Sequence, residues 1–252
     1  MSLSQSEQEQ RDYYNRIASE YDSHYATAEA LQYRALVFDH LLAGESFDGL
    51  QTLDAMCGGG ENANYFFQRG AAITGVDISE AQCEHFARRF PDAKILCASI
   101  LDTRLPDASY DLIVTESLHH LHPNLDAGMG ELIRLLKPGG RLLVWEPSSG
   151  SLLDMLRKIW YRLDRRFFED NEASIDFARL GRDHGAELQL KRLEYGGNLA
   201  HLFVMSSMQF RIPLRAVSWY APALLWLEPH LQRLQGRFLS CWGLALYEKT
   251  EA

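Results

Sequence analysis

Short apolar segments alternate with helical patterns through the middle of the chain. The strand-like segments lie at 50–56, 71–78, 93–99, 110–117 and 141–146, and the helical patterns between them include 61–70 and 125–136. Because these segments are apolar on both faces, they are typical of strands that helices cover on either side of a mostly parallel sheet. Ligands bind such sheets at the carboxyl ends of the strands, so we expect the functional residues there.

The outer parts of the chain have other patterns. Helices are predicted at 3–26, 28–43, 150–168 and 172–184, a strand at 186–195 and a closing strand at 237–249. The turn KPGG at 137–140 is expected to end the helix before the fifth strand, and Pro222 and Pro229 to break any long helix. We interpret the chain as one domain with a helical cover at 1–46, a core at 47–147, a cap with the sixth strand at 148–236 and the closing strand at 237–252.

Composition and charge narrow the class of protein. The chain has 252 residues, of which 46% are hydrophobic and 23% charged, as in globular proteins. A net charge of −9 argues against general binding to nucleic acid, since the phosphates would be repelled. No segment resembles a secretory leader, and the longest apolar run, 217–227, is too short to span a bilayer. The four cysteines have no paired spacing, so we expect a cytoplasmic protein without a disulfide framework.

A glycine cluster follows the first strand in the stretch LDAMCGGGEN, residues 53–62. Gly58 and Gly60 can adopt positive φ and let the backbone approach a ligand, and the helix start that follows attracts an anion. Asp77 ends the next strand, where an acid can accept hydrogen bonds from ribose hydroxyls. A simple turn is the alternative for the glycines, and both features also occur in NAD-binding proteins. Met56 stands at the first glycine position of the usual fingerprint, and we expect its φ to stay negative.

Several segments together resemble a known family. LDAMCGGGENA, GVDIS, LPDASYDLIVTESLHHL and LLKPGGRLLVWEP occur in the order and spacing of class I S-adenosylmethionine-dependent methyltransferases. The segment YYNRIASEYDSHY at 13–25 is similar to their N-terminal helix, which folds over the cofactor, and the whole resembles the UbiE/Coq5-like small-molecule type. The resemblance implies a Rossmann-like seven-stranded sheet with helices on both faces, S-adenosylmethionine as cofactor and S-adenosylhomocysteine as product.

The resemblance also implies roles for individual positions. Cofactor contacts are implied for Tyr21, Asp54, Met56, Cys57, Gly58, Gly60, Asp77, Ile78, Ser99, Ile100 and Glu116. In this set Asp77 is the ribose-binding acid, Ile78 packs on the adenine and Glu116 faces the sulfonium region. Many relatives have an aspartate in place of Ser99, so Asp102 or a backbone N–H is expected to contact the adenine amino group instead.

His119, His120 and Glu116 are the candidate catalytic residues at the mouth of this site. Histidine titrates near neutrality, so His119 or His120 could deprotonate an acceptor hydroxyl; the alternative is that LHHL only shapes the loop. Methyl transfer needs mainly positioning, since the sulfonium is already a good leaving group. Glu146, at the end of the fifth strand, either binds the acceptor or caps the following helix. No spacing predicts a metal site.

The segment between the fifth and the closing strand is expected to roof the acceptor pocket. Basic residues at 157–166 could recognise a phosphate or carboxylate or touch an anionic membrane surface, with a solvated helix face as the alternative. We expect methylation of a small-molecule or lipid-linked acceptor, first of all O-methylation of a sugar or secondary-metabolite hydroxyl. C-methylation of a quinone-like ring and a non-catalytic cofactor-binding protein are the alternatives. The chain is expected to be a monomer or homodimer that binds no nucleic acid.

Overall fold

In the part of the chain that the computed structural model describes, residues 3–163 and 173–251, one seven-stranded sheet runs through the centre. Its strands are β1 (Gln51–Ala55), β2 (Ala72–Asp77), β3 (Lys94–Cys97), β4 (Tyr110–Thr115), β5 (Leu136–Pro147), β6 (Leu188–Gly196) and β7 (Trp242–Lys249). They lie in the order β3-β2-β1-β4-β5-β7-β6, and β7 runs antiparallel to both of its neighbours. The prediction of an α/β fold with a mostly parallel seven-stranded sheet is therefore confirmed.

Helices pack against this sheet. They are α1 (Gln5–Tyr25), α2 (Ala28–Leu41), α3 (Glu61–Phe67), α4 (Glu80–Arg89), α5 (Leu125–Leu135), α6 (Leu152–Leu163), α7 (Phe177–Asp183) and α8 (Leu214–Gln232). The buried apolar residues form two clusters, one around Phe38, Phe66 and Trp145 and the other around Met129 and Leu132. The helices thus shield strands that are apolar on both faces, as the pattern of the sequence requires. None of the helices in the described ranges is long and apolar enough to cross a membrane.

The N-terminal helix α1 is fixed at its start and along its length. Ser4 Oγ accepts a hydrogen bond from Glu7 N, and the Glu7 carboxylate accepts one from Ser4 N at 2.8 Å, which is a capping box. Further along, Asn15 Oδ1 accepts hydrogen bonds from Ser79 Oγ at 2.7 Å and from Ala81 N at 3.1 Å. Asn15 therefore caps α4 from another helix and holds α1 over the end of β2.

The fifth strand begins earlier than the sequence predicts. KPGG lies inside β5, because Leu136 already has an extended backbone and pairs with Tyr110. The register then shifts, so that Leu112 pairs with Arg141 and the residues between Leu136 and Arg141 bulge out of the ladder. The turn therefore interrupts the strand pairing and does not separate a helix from a strand.

The cap after β5 differs from the prediction at its longest helix. Helix α8 runs through both Pro222 and Pro229, which were expected to break it. Ser218, whose carbonyl loses its helical donor at Pro222, is exposed, so that water can replace the missing N–H. Helix α6 covers the first part of the predicted basic helix, and the remainder of that helix, with Arg165, Arg166, Phe167 and Phe168, lies outside the described residues.

Candidate functional site

A cavity of about 560 Å³ opens at the carboxyl ends of the central strands. Its lining includes Met56 after β1, Asp77 at the end of β2, Glu116 after β4 and Glu146 near the end of β5. Helix α1 and the segment 201–210 line the other side. Because β1 and β4 are the neighbours between which the strand order reverses, the cavity lies at the point where parallel sheets bind ligands.

The loop after β1 has an unusual backbone. Met56 has a φ of +58°, Gly58 of +52° and Gly60 of +88°. The expected negative φ at Met56 is therefore wrong; the position is left-handed, and packing of the Met56 side chain against the second apolar cluster helps to hold it there. Gly60 does not line the cavity, and a Cβ there would lie 2.5 Å from the Phe90 ring and 2.8 Å from Phe86. Gly60 is thus needed for packing against α4.

Two acidic side chains at strand ends have different surroundings. The oxygens of Asp77 accept hydrogen bonds from Gly58 N at 2.8 Å and from Ser79 N at 2.9 Å, and the side chain lines the cavity. Burial raises the pKa of Asp77 to about 6, although these N–H donors act to lower it. Asp54 is fully buried outside the cavity lining, where it accepts a hydrogen bond from Ala63 N and fixes the start of α3. Burial also raises the pKa of Asp54 well above its ordinary value.

The wall beside Gly58 fits a ribose-bearing cofactor. Gln82 lines the cavity and is 1% exposed, and neither polar atom of its carboxamide has a hydrogen-bond partner among the described residues. A Cβ on Gly58 would lie 3.3 Å from Glu61 Oε2 and 3.9 Å from both Gln82 and Tyr21, so a side chain there would take up space beside these lining residues, and the positive φ also favours glycine. Buried polar groups require partners, and the hydroxyls of a ribose could satisfy Gln82 and Asp77 together.

The other predicted cofactor residues divide between the cavity and the core. The cavity is lined by Tyr21, Met56, Cys57, Gly58, Asp77, Ile78 and Glu116. Ser99 and Ile100 do not line it: Ile100 is buried in the second apolar cluster, and Ser99 Oγ accepts a hydrogen bond from a nearby backbone N–H. Asp102, the suggested substitute for Ser99, is half exposed and lies 3.6 Å from Arg104 Nε, outside the cavity lining.

A buried ion pair that sequence reasoning missed forms part of the wall. Arg34 on α2 is 2% exposed, and its Nη1 donates hydrogen bonds to Glu116 and, at 2.6 Å, to Asn62 Oδ1. Its guanidinium lies 5.3 Å from the centre of the Trp145 ring. Burial acts to lower the pKa of Arg34, but the negative charge of Glu116 outweighs burial, so the pKa of Arg34 is raised. Burial also raises the pKa of Glu116, although the positive charge of Arg34 acts to lower it. An arginine on the otherwise apolar face of α2 was the signal that could have revealed this pair.

The histidine loop after β4 is held by Glu146. One carboxyl oxygen accepts a hydrogen bond from Leu118 N at 2.6 Å, and the other lies 3.3 Å from His119 N and 2.7 Å from His119 Nδ1. Burial lowers the pKa of His119 to about 3 and raises that of Glu146 to about 8. At neutral pH the carboxyl therefore keeps its proton and donates it to Nδ1. Glu146 caps the short turn Leu118–His120, and not the helix beyond β5.

His120 connects the same loop to the N-terminal helix. Its Nε2 lies 2.9 Å from the Tyr14 hydroxyl on α1, and its ring centre is 3.9 Å from that of His119. Burial lowers the pKa of His120 well below its ordinary value, so both rings are neutral at physiological pH. Within the described residues no group of three or more histidine, cysteine, aspartate or glutamate side chains could hold a metal ion.

The part of the lining that α6 and the segment 201–210 contribute is rich in apolar side chains, and we call it the apolar end of the cavity. Its lining there includes Leu153, Leu156, Leu202, Met205, Met208 and Phe210. Arg157, one of the residues of the predicted basic face, also lines this end, and its Nη2 lies 3.0 Å from Asp154 Oδ1. His201 is nearby in the lining, and burial lowers its pKa to about 3. This end of the cavity suits an apolar molecule whose polar group lies near His119 or Arg157.

Comparison with known proteins gives a consistent picture. Residues 53–144 match the family model described as methyltransferase domain. The malonyl-(acyl-carrier protein) O-methyltransferase of Serratia marcescens is 32% identical over 152 residues, 60% of this chain and 57% of that protein. The fatty-acid O-methyltransferase of Mycolicibacterium smegmatis is 28% identical over 119 residues, 46% of this chain and 43% of that protein. The chain thus spans about half the length of the curated relatives it matches.

Solved structures share the complete fold. Magnesium protoporphyrin IX methyltransferase from Synechocystis PCC 6803 with bound S-adenosylhomocysteine has a TM-score of 0.64 at 16% identity, covering 98% of this chain and 100% of that one. The (4+2)-cyclase SpnF has a TM-score of 0.68 at 15% identity, covering 100% and 99%. At these identities the likeness establishes the fold alone, since one fold supports several activities. From the sequence comparisons, residues 53–144 are similar to a methyltransferase domain, and parts of the chain are similar to S-adenosylmethionine-dependent methyltransferases.

Proposed function

We propose that the protein transfers a methyl group from S-adenosylmethionine to the hydroxyl of a small, mainly apolar acceptor such as a secondary metabolite. The observation that carries the proposal is the lining of one cavity, which combines a wall suited to a ribose, the His119–Glu146 pair and an apolar end. The similarity to methyltransferases supports the same cofactor. A sugar fits the apolar end less well, because most of the side chains there offer no partner to its hydroxyls, although His201 and Gln209 line the same part of the cavity.

The residues that line the wall beside Gly58 would hold the cofactor. Asp77 and Gln82 would bind the ribose, Ile78 would pack on the base and the backbone at Gly58 would approach the methionine part. Tyr21 on α1 would cover it from the opposite side. S-adenosylmethionine, when bound, supplies an electrophilic methyl group on a sulfonium. Holding both reactants in one orientation can contribute about 7–11 kcal/mol to the lowering of the barrier.

His119 is the residue that would accept the proton of the acceptor hydroxyl. Its Nδ1 faces Glu146, so Nε2 is the nitrogen that remains for the acceptor. While Glu146 keeps its proton, the carboxyl donates a hydrogen bond to Nδ1, and the ring proton stays on Nε2. When Glu146 ionises, the pair loses one proton to solvent. The remaining ring proton then lies on Nδ1, where it donates a hydrogen bond to the carboxylate, and Nε2 is free to act as the base. Glu146 is therefore a positioning residue, and Glu116, paired with Arg34, is assigned to cofactor binding and not to proton transfer.

O-methylation of a carboxyl group is the second candidate. Arg157 in the apolar end could pair with a carboxylate, and a carboxylate needs no base. The malonyl-(acyl-carrier protein) and fatty-acid O-methyltransferases are relatives whose names describe acceptors of this class. A carrier-linked or lipid-like acid would place its chain along the apolar lining.

Matched acceptors separate the two candidates. The protein is incubated with radiolabelled S-adenosylmethionine and, in turn, a phenol, an aliphatic alcohol and the corresponding carboxylic acid. Label on the hydroxyl acceptors, lost in His119→Ala with unchanged cofactor affinity by calorimetry, supports the first candidate. Label on the acid, kept in His119→Ala and reduced in Arg157→Gln, supports the second.

Three other outcomes would contradict both candidates. Label on carbon would indicate C-methylation, the alternative that the sequence left open. Cofactor binding without transfer to any acceptor of a broad metabolite panel would indicate a non-catalytic binding protein. Tighter binding of NAD than of S-adenosylmethionine in calorimetry would refute the cofactor assignment itself.

A further inference from the structure

One side of α8 presents a narrow stripe of side chains to solvent. Its members recur at helical spacing and are all exposed: Arg215, Trp219, Pro222, Ala223, Trp226, His230 and Arg233. Trp219 is 86% exposed and Trp226 70% exposed. Indole rings are rarely left in water to this extent, because each has a large apolar surface to bury. The opposite side of α8, with Val217, Ala221 and Leu225, packs into the core.

The charge of this stripe is opposite in sign to that of the whole chain. Arg215 and Arg233 flank the two tryptophans, and along the described helix α8 the only acidic side chain is Glu228, which is 2% exposed. Glu228 accepts hydrogen bonds from Asn198 N at 3.0 Å and Ala200 N at 2.9 Å, on the buried side. The chain as a whole carries a net charge of −9. A local cationic and aromatic stripe on an acidic protein therefore selects an anionic surface and orients the molecule on it.

We propose that this face of α8 docks on an anionic lipid bilayer. Tryptophan side chains favour the boundary between headgroups and acyl chains, and flanking arginines pair with lipid phosphates. A second copy of the chain is a poorer occupant, since a twofold contact through the stripe would place arginines of like charge against each other. The bilayer accepts both the indoles and the guanidinium groups without such a conflict.

Helix α8 is joined to the segment that lines the apolar end of the cavity. Tyr220 on α8 donates a hydrogen bond from its hydroxyl to the Phe203 carbonyl at 2.6 Å, which joins α8 to the segment 201–210. Phe203 is 40% exposed, and Phe210, which lines the cavity, is 42% exposed with its ring 6.2 Å from that of Phe203. Docking through α8 would thus bring the apolar side of the cavity close to the acyl region. The docking surface itself does not depend on the proposed methyl transfer.

Sedimentation with vesicles tests the docking. The full chain is mixed with vesicles of phosphatidylcholine alone or with an equal part of phosphatidylglycerol, and the bound fraction is measured at low and high salt. We expect binding to the anionic vesicles that weakens with salt. Trp219→Ala with Trp226→Ala should lower the affinity about 10-fold or more. Arg215→Glu with Arg233→Glu should remove the preference for phosphatidylglycerol, since each arginine contributes about fivefold.

Arg88→Glu with Arg179→Glu is the matched control. Both arginines are exposed on other helices, so the pair changes the net charge equally and should leave vesicle binding nearly unaltered. Thermal melting should be unchanged in the tryptophan double variant, because both side chains are exposed. Equal loss of binding in both arginine pairs, or no binding of the parent protein, would overturn the proposal. So would a parent dimer, seen by light scattering, that the tryptophan variant converts to a monomer.

Discussion

Replacing Glu146 by Gln tests the proposed tautomer switch at His119 directly. In the parent protein the protonated carboxyl donates to His119 Nδ1, and Leu118 N and His119 N donate to its oxygens. The carboxamide of the Glu146→Gln variant can imitate this protonated form, with its oxygen toward Leu118 N and its nitrogen toward Nδ1. It cannot ionise, so the ring proton should stay on Nε2 at every pH. The only lost contact is the long one from His119 N at 3.3 Å, which should cost about 1 kcal/mol.

The raised pKa of Glu146 fixes how stability depends on pH. Burial moves this pKa from 4.5 to about 8, so the folded state holds the proton more tightly than the unfolded state. This contribution to the free energy of unfolding is complete below pH 4.5 and is lost as the pH rises towards 8. At roughly 1.4 kcal/mol for each pH unit between the two values, the loss comes to about 5 kcal/mol. Glu146→Gln removes the loss, so the variant should be within about 0.5 kcal/mol of the parent at about pH 5 and about 4 kcal/mol more stable at about pH 9.

Urea denaturation of parent and variant between about pH 5 and pH 9 measures this difference without any acceptor. Glu248→Gln, the same change on an exposed side chain of β7, should follow the parent curve. Ring nitrogen NMR adds a direct readout: the parent should move its His119 proton from Nε2 to Nδ1 through about pH 8, and the variant should not. Once an acceptor is known, turnover of the parent should rise through the same pH, and the variant should be about 10²–10⁴-fold slower above it.

Parallel stability curves for the parent and Glu146→Gln would refute the reasoning, because they would mean that Glu146 ionises in both states alike. A parent whose His119 proton already lies on Nδ1 at about pH 6 would refute the assignment of the proton to the carboxyl. Turnover of the variant within about threefold of the parent at about pH 9 would remove His119 as the base.

Three further changes follow from the geometry of the site. Gly60→Ala should lower the free energy of unfolding in urea by about 2–4 kcal/mol, because the backbone is left-handed and the added Cβ would contact the α4 rings. Gly130→Ala, on the open surface of α5, is the control and should raise it by about 0.5–1 kcal/mol. Arg34→Met should cost about 1–3 kcal/mol because it leaves the partly buried Glu116 carboxylate unpaired. Adding Glu116→Gln in a double-mutant cycle should recover part of this, and simple additivity would contradict the pairing. Asp77→Asn should weaken S-adenosylhomocysteine binding about 10–100-fold by calorimetry, at a temperature where thermal melting shows the variant to be folded, because its carboxamide loses one of the two backbone donors that Asp77 accepts. Equal affinity would exclude Asp77 from the ribose site.

The sheet was predictable because its information is local. Each strand is a short apolar run with turn residues on either side, and the residues at the strand ends identify the binding edge without knowledge of any distant contact. The placement of Asp77 and His119 in one cavity follows from this edge alone. The hydrogen-bond partner of each side chain cannot be predicted in this way, because Glu146 approaches the histidine loop from another strand.

Other features depend on partners that are distant in sequence. Arg34 stands out on the apolar face of α2, but its partner Glu116 lies 82 residues later in the chain, and only the packing of α2 against the end of β4 brings the two together. Pro222 signals a helix break, but its position on the exposed side of α8 lets water take the missing donor. The left-handed Met56 likewise reflects packing against the core after assembly, which outweighs the local preference of its backbone.

The place of β7 between β5 and β6 makes the last stage of folding a long-range event. The other strands of the parallel part are complete by Pro147, but β5 receives its second neighbour only after the chain has passed through the whole cap to Trp242. Until then β5 is an open edge rich in apolar residues, the kind of edge to which other chains attach. During synthesis the nascent protein is therefore most vulnerable to aggregation between these two points, and a truncation before Trp242 should yield insoluble chains and not a smaller folded protein.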